Sequence, residues 1–398
     1  MKLLNRKQKK GTFLTGMTTL ALMASAVATA DVPTQLGKEA TAVLQDTPTM
    51  EVAPVSDAKR VYVTDPGAFN VTSQVYTIDG NNGKLLGMLD AGKLPNVMPT
   101  LNGDKVVVAN TWYDRIARGN RNDYVEVFDA QTHEVVADID IPEGRFLLMV
   151  YQHFANVTPD DKHMLFQQFS PSPAVGLVDL ENAKFVKMMD TPDCYHVLPV
   201  GDNTFYMHCR DGSLLKVKYD AEGNTEQENT KVFHAEDDYL VNSPAFSKKT
   251  GHLAWTATNG MIYQADLSAD DAKFEKPFQA FTDAQLKDNW KPGGHQPIAY
   301  HNERNEIYLL ADQRAQWKHK LPSRYVFVLD GDTGEQLRRI DLGHEVNAIA
   351  VSQDAEPYLF GVSQGDSTMY AYDAQSGEEL YGVDELGRSP HVIVVPEE

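Results

Sequence analysis

The sequence predicts an all-β fold, a seven-bladed β-propeller of four-stranded blades, on three observations. A strand–turn–strand phrase occurs seven times, and the copies recur at steps of 41 to 64 residues. Counting strands also leaves one blade to be completed by pairing of the N- and C-terminal strands. The clearest copy is VFVLDGDTGEQLRRID, Val326 to Asp341, in which Asp330-Gly331-Asp332-Thr333-Gly334 forms the turn. VYTIDGNNGKLLGMLD from Val75, VEVFDAQTHEVVADID from Val125, VGLVDLENAKFVKMMD from Val175 and MYAYDAQSGEELYGVD from Met369 repeat it. LLKVKYDAEG from Leu214 and MIYQADLSADDAKFEKPF from Met261 are looser copies. The first strand of each copy ends in Asp79, Asp129, Asp179, Asp220, Asp266, Asp330 or Asp373. Asp and Asn hydrogen-bond their own backbone and, with Gly, tolerate the positive φ of tight turns, which keeps the copies alike.

Taken in order, residues 1–30 read as a signal peptide. Lys2, Arg6, Lys7, Lys9 and Lys10 precede an apolar run from Phe13 to Val27, and Ala28-Thr29-Ala30 fits a cleavage site. The run is too short and too rich in Ser and Thr for a retained anchor, so no membrane attachment is expected after cleavage. Residues 31–58 are polar, with Pro33, Pro48 and Pro54, and read as an extended N-terminal arm. The propeller occupies 59–398. RVYVTD (Arg60 to Asp65) is the second strand of the first blade, Val75 to Asp79 and Lys84 to Leu89 are its third and fourth, and PHVIVV (Pro390 to Val395) supplies its innermost. Such closure removes the open sheet edge. The later blades run from about Leu94 to Asp140, Phe146 to Asp190, Cys194 to His234, Tyr239 to Phe281, His295 to Asp341 and Glu345 to Asp384.

Composition narrows the function. The formal charge is −20, and it becomes −25 when the five basic residues of the leader depart, since the leader has no acidic ones. A surface this acidic argues against nucleic acid or anionic membrane as a partner. Two insertions run against the trend, Thr111 to Asp123 with Arg115, Arg118 and Arg121, and Asp312 to Arg324. Each is either a partner contact or a solvated loop. Cys194 and Cys209 are the only cysteines and flank a hairpin turning at Gly201-Asp202-Asn203. In an exported protein they are expected to form one structural disulfide, worth roughly 3 kcal/mol for a loop of about 16 residues. His301, His344 and His391 lie near inner strands and could gather into an axial metal site, but structural histidines are the commoner case. Walker, dinucleotide and Gly-x-Ser-x-Gly motifs are absent. Gly293-Gly294 reads as a turn entering a strand.

Several stretches go beyond a generic propeller: RIARGNRNDYVEVFD (Arg115 to Asp129), QFSPSPAVGLVDLE (Gln168 to Glu181), PDCYHVLP (Pro192 to Pro199), FYMHCRDGSL (Phe205 to Leu214), WKPGGHQ (Trp290 to Gln296), DQRAQWKHK (Asp312 to Lys320) and LGHEVNAIAVSQDAEP (Leu342 to Pro357). From Arg60 onward the chain resembles the heavy subunit of methylamine dehydrogenase, of the quinoprotein amine dehydrogenases. The resemblance implies a periplasmic α2β2 heterotetramer. Its small (light) subunit carries the tryptophan tryptophylquinone cofactor and the catalytic carboxylates, so this chain would hold no catalytic, cofactor or metal residue. A primary amine such as methylamine would be oxidised to aldehyde and ammonia, with electrons leaving to an amicyanin-type blue copper protein. The phenylalanine of DPGAFNV, Phe69, would project toward the quinone and narrow the substrate channel. The chain departs from the family pattern at two places: His295 replaces the usual tryptophan, and Ala315-Gln316 the usual acidic pair. The alternatives are an aralkylamine dehydrogenase heavy subunit, a non-catalytic binding propeller, or a self-sufficient metalloenzyme.

Overall fold

The computed structural model describes residues 59–66, 72–147 and 149–397. The expected signal peptide, the arm and Phe69 lie outside these residues. Seven antiparallel sheets follow one another around a ring. Blade 1 has, from inside out, Val392–Val394, Arg60–Asp65, Ser73–Asp79 and Lys84–Ala91. The closing pairs are Tyr62 with Val394, Val63 with Ile393 and Thr64 with Val392. Blades 2, 3, 4 and 7 are four-stranded meanders that begin at Asn96–Pro99, Ala155–Val157, Cys194–Val200 and Ala348–Val351.

Blades 5 and 6 are less regular than the sequence suggested. The outer strand of blade 5 is split into Lys273–Phe274 and Phe278–Gln279, both paired with Met261–Asp266. In blade 6 the inner position is shared by Trp290–Pro292 and Ile298–His301, both on Glu306–Gln313. Its outer strand runs from Gln336 to Val346, past the expected boundary at Asp341. A short helix, Asp283–Lys287, links the two blades, opened by a capping box between Thr282 and Gln285.

Burial explains the strand patterns. Second and third strands are covered on both faces by neighbouring blades, so Arg60–Asp65 is buried throughout and Tyr358–Ser363 nearly so. Outer strands alternate, as Gln336–Val346 does, because one face meets solvent. Seven apolar clusters lie between neighbouring blades. The one that closes the ring joins Val61, Val63 and Ile78 of blade 1 to Phe360 and Val362 of blade 7. Each fully buried aliphatic or aromatic residue there contributes about 1.5–3 kcal/mol.

The repeated aspartate is explained by the turn after the third strand. In all seven blades its carboxylate accepts backbone N–H bonds from residues two to four positions on, as Asp330 does from Asp332 at 3.2 Å and Thr333 at 2.8 Å. These bonds, with the Thr333 hydroxyl, hold the Asp330 carboxyl below its usual range. The positive φ falls later, at Gly334. Gly331 is needed for a different reason. A Cβ there would stand 2.1 Å from the Asn305 side chain.

Candidate functional site

Successive connections of a meander alternate between the ends of a sheet. The turn aspartates therefore share one face of the ring. The opposite face, here the connection face, carries the second-to-third-strand loops and the links between blades. Both basic insertions are on it, as is the end of the strand Arg60–Asp65.

Exposed aromatic side chains concentrate on this face. Trp112, Tyr239 and Trp317 are 43%, 58% and 58% exposed, and Ile116, Met149 and Leu321 are exposed with them. Tyr239, in the link between blades 4 and 5, meets Trp317 of the blade 6 loop edge to face at 5.1 Å between ring centroids. Such aromatics are the usual anchors of protein interfaces.

Two buried arginines hold the loops in shape. Arg314, in the second of the two basic insertions, is turned inward rather than toward a partner or solvent. It donates to the carbonyls of Lys318 (2.9 Å), Leu321 (2.8 Å) and Pro322 (3.1 Å) and to the Ser323 hydroxyl. The guanidinium lies where a Cβ on Gly293 would be, which is why WKPGGHQ needs that glycine. The loop is thereby wound around its own cation, and Ala315, Gln316 and Trp317 are presented outward. Arg145, in the link between blades 2 and 3, donates to the carbonyls of Lys93 (2.9 Å), Leu94 (2.7 Å) and Asn110 (3.3 Å) and to Asn96 Oδ1 (3.1 Å). Burial lowers its pKa to about 10, so it remains charged at neutral pH. Nothing in the sequence marks Arg145, because its partners lie 35 to 52 residues away. Arg121 is paired with the buried Asp123 at 2.7 Å, whereas Arg115 and Arg118 at the loop tip have no ion-pair partner among the described residues.

Histidines form much of the inner wall at this face. His295 Nε2–H donates to the Val150 carbonyl at 2.7 Å, and its ring stacks on Tyr151 and leans on His391. His153 Nε2–H donates to the Pro244 carbonyl (3.2 Å), and His196 Nε2–H to that of Asn242 (2.9 Å). His234 Nδ1–H is given to the Ala235 carbonyl, so its Nε2 accepts from His208 Nε2–H at 2.9 Å. Burial pushes His196, His208 and His295 down to about 3 and His153 and His391 to about 4, so all five are neutral at pH 7. The structure does not bring His301, His344 and His391 together. His301 is bonded to the Asp354 carbonyl and His344 to Glu379, and no group of three potential ligands occurs among the described residues.

The disulfide is present. Cys194 opens the inner strand of blade 4, Cys209 ends the next, and the two are register partners in the ladder. Denatured without reductant, the chain is expected to show no free thiol by Ellman titration. Two thiols per chain would contradict the bridge.

The family model and the sequence relatives agree on one family. The methylamine dehydrogenase heavy chain (MADH) family matches residues 57–397. The methylamine dehydrogenase heavy chain of Methylophilus methylotrophus is 56% identical over 98% of this chain and 97% of its own length. That of Methylobacillus flagellatus is 56% identical over 97% and 96%. The protein from Paracoccus versutus is 51% identical over 87% and 82%. Among solved structures, a protein of unknown function from Desulfotomaculum acetoxidans superposes with a TM-score of 0.59 at 12% identity, covering 85% of this chain and 99% of that one, a likeness of fold alone. The chain therefore belongs to the methylamine dehydrogenase heavy chain family, and as such is one subunit of an oxidoreductase.

Proposed function

We propose that the chain is the heavy subunit of a periplasmic methylamine dehydrogenase, assembled as α2β2, which receives the small subunit on its connection face. The observation that carries this reading is the exposed set Trp112, Tyr239 and Trp317 on the face where every long loop converges. The tryptophan tryptophylquinone of the small subunit supplies the oxidation of methylamine to aldehyde and ammonia, with electrons passing on to an amicyanin-type copper protein. This chain's share is to orient the small subunit and to bound the route of the amine. The Arg145 and Arg314 hubs fix the loops from beneath, and the neutral histidines place no positive charge near an incoming ammonium.

Expressed alone, the chain is expected neither to oxidise methylamine nor to absorb visible light. Co-expressed with a small subunit it should do both. Replacing Tyr239 and Trp317 together by Ala should weaken co-purification, on the order of 2 kcal/mol for a pair of aromatic anchors. Amine turnover by the isolated chain, or undiminished assembly of the double variant, would count against the reading.

Phe69 is assigned to the substrate channel on the family resemblance. It follows Pro66-Gly67 and a strand that ends at Asp65. A rigid ring there rejects longer amines by clash, whereas one methylene in a pocket is worth only about 1–3 kcal/mol. Phe69→Ala should assemble normally and shift kcat/KM toward longer primary amines relative to methylamine. An unchanged preference in the assembled variant would remove Phe69 from the channel.

A further inference from the structure

The closing strand of the ring, Val392–Val394, is the inner strand of blade 1 and is short. As an innermost strand it has a ladder partner on one side only, over three residue pairs. Short strands of this kind are where rings fray. Two features oppose fraying. Gln296, 5% exposed, serves as a surrogate strand: its amide donates to the carbonyls of Ile393 (2.9 Å) and Ile349 (3.0 Å), and its Oε1 accepts from Ile393 N–H at 3.4 Å. Beyond Val394 the chain then enters the central tunnel. The carboxylate of Glu397 reaches blade 5, where it accepts from the Ser247 hydroxyl (2.7 Å) and the Lys249 N–H (3.2 Å). Lys248, in the same turn, donates to the Pro99 carbonyl of blade 2 at 2.7 Å. Blades 1, 5 and 2 are thus linked across the axis on the turn face. Two small cavities, about 70 and 30 Å³, lie against this link, and Gln152, Phe246, Val395 and Glu397 line both.

We propose that residues 395–397 are a latch for the propeller: Glu397, held in the turn of blade 5, pins the strand that closes the ring and bars the central tunnel. Opening the ring then requires release of Glu397 before Val392–Val394 can peel from Arg60–Asp65. Ladder bonds alone would let the strand leave residue by residue. Hydrogen bonds made across the axis have no neighbour to replace them, so their loss acts directly on the opening step.

The test is amide hydrogen exchange on the full-length protein, comparing the native chain with Glu397→Ala, Glu397→Gln and Ser247→Ala. With Glu397→Ala, exchange at Val392–Val394 and at their partners in Arg60–Asp65 should accelerate by about 10- to 100-fold, the worth of the two hydrogen bonds that Glu397 accepts. The inner strands of blades 3 and 4 should be unchanged. Glu397→Gln keeps an acceptor for Ser247 and Lys249 and should fall between, and Ser247→Ala should act in the same direction as Glu397→Ala. Unaltered exchange at Val392–Val394 in Glu397→Ala would overturn the latch. So would an acceleration spread evenly over all seven blades, which would make Glu397 a general packing residue.

Discussion

Lowering the pH from 7 to 4.5 is expected to remove most of the folding stability of this propeller. His153, His196, His208, His295 and His391 are held neutral by burial, with values near 3 to 4 in place of the usual 6.5. The unfolded chain takes up a proton at each of these positions as pH falls through 6.5, and the folded chain does not until about 3 to 4. Stability is therefore fully present above 6.5 and declines across the window between the two values. Each histidine costs about 1.4 kcal/mol per pH unit well inside that window, or roughly 2 kcal/mol by pH 4.5. Together the five reach on the order of 10 kcal/mol, comparable to the whole stability of a typical domain. Melting temperature measured at half-unit steps should fall steeply from about pH 6. The turn carboxylates, such as Asp330 and Asp373, are held low by their hydrogen bonds, and their contribution is lost only at more acidic pH. A melting temperature that stays level from pH 7 to 5 would show that these histidines are protonated within the fold.

Arg145→Met is expected to destabilise the chain by about 3–5 kcal/mol, the cost of leaving several buried acceptors without a donor at about 1–3 kcal/mol each, partly relieved by relaxation. The carbonyls of Lys93, Leu94 and Asn110 and the amide oxygen of Asn96 would all lose their donor. Asp123 would keep Arg121 and the Thr111 hydroxyl, so the loss falls on the carbonyls rather than on that carboxylate. Arg145→Lys should restore little, since a single ammonium cannot fork to four acceptors spread over two loops. Denaturant titration checks both variants. A loss below about 1 kcal/mol for Arg145→Met would mean that water replaces the guanidinium without cost.

What was legible beforehand follows the range of the interactions. The seven aspartates were readable because each bonds to a backbone two to four residues away, so the chemistry of the turn is written locally. The ring closure was readable because strands must be paired, and an inner strand was missing beside Arg60–Asp65. The blade 6 strand Trp290–Pro292 was not, because a three-residue strand has no period to detect. The role of Gly293 depends on a guanidinium arriving from the next loop, and that of Arg145 on three segments that meet only in the fold. The neutral histidines looked scattered in sequence, since their partners, such as Val150 for His295, come from other blades. The direction of Arg314 was also invisible, because a loop that is basic in sequence can spend its charge on its own carbonyls.

The pairing of Tyr62 with Val394 also sets an order of events during synthesis. A growing chain can complete blades 2 to 7 one after another as each meander emerges, since their strands are neighbours in sequence. Blade 1 alone must wait, with Arg60–Asp65 lacking its inner neighbour until Val392–Val394 has been made. Until then the inner edge of Arg60–Asp65 and the faces of Val61, Val63 and Phe360 stay open to competing strands. Truncation anywhere before residue 392, even one that spares six whole blades, leaves that edge exposed, and the shortened product is the kind of species that aggregates or is degraded.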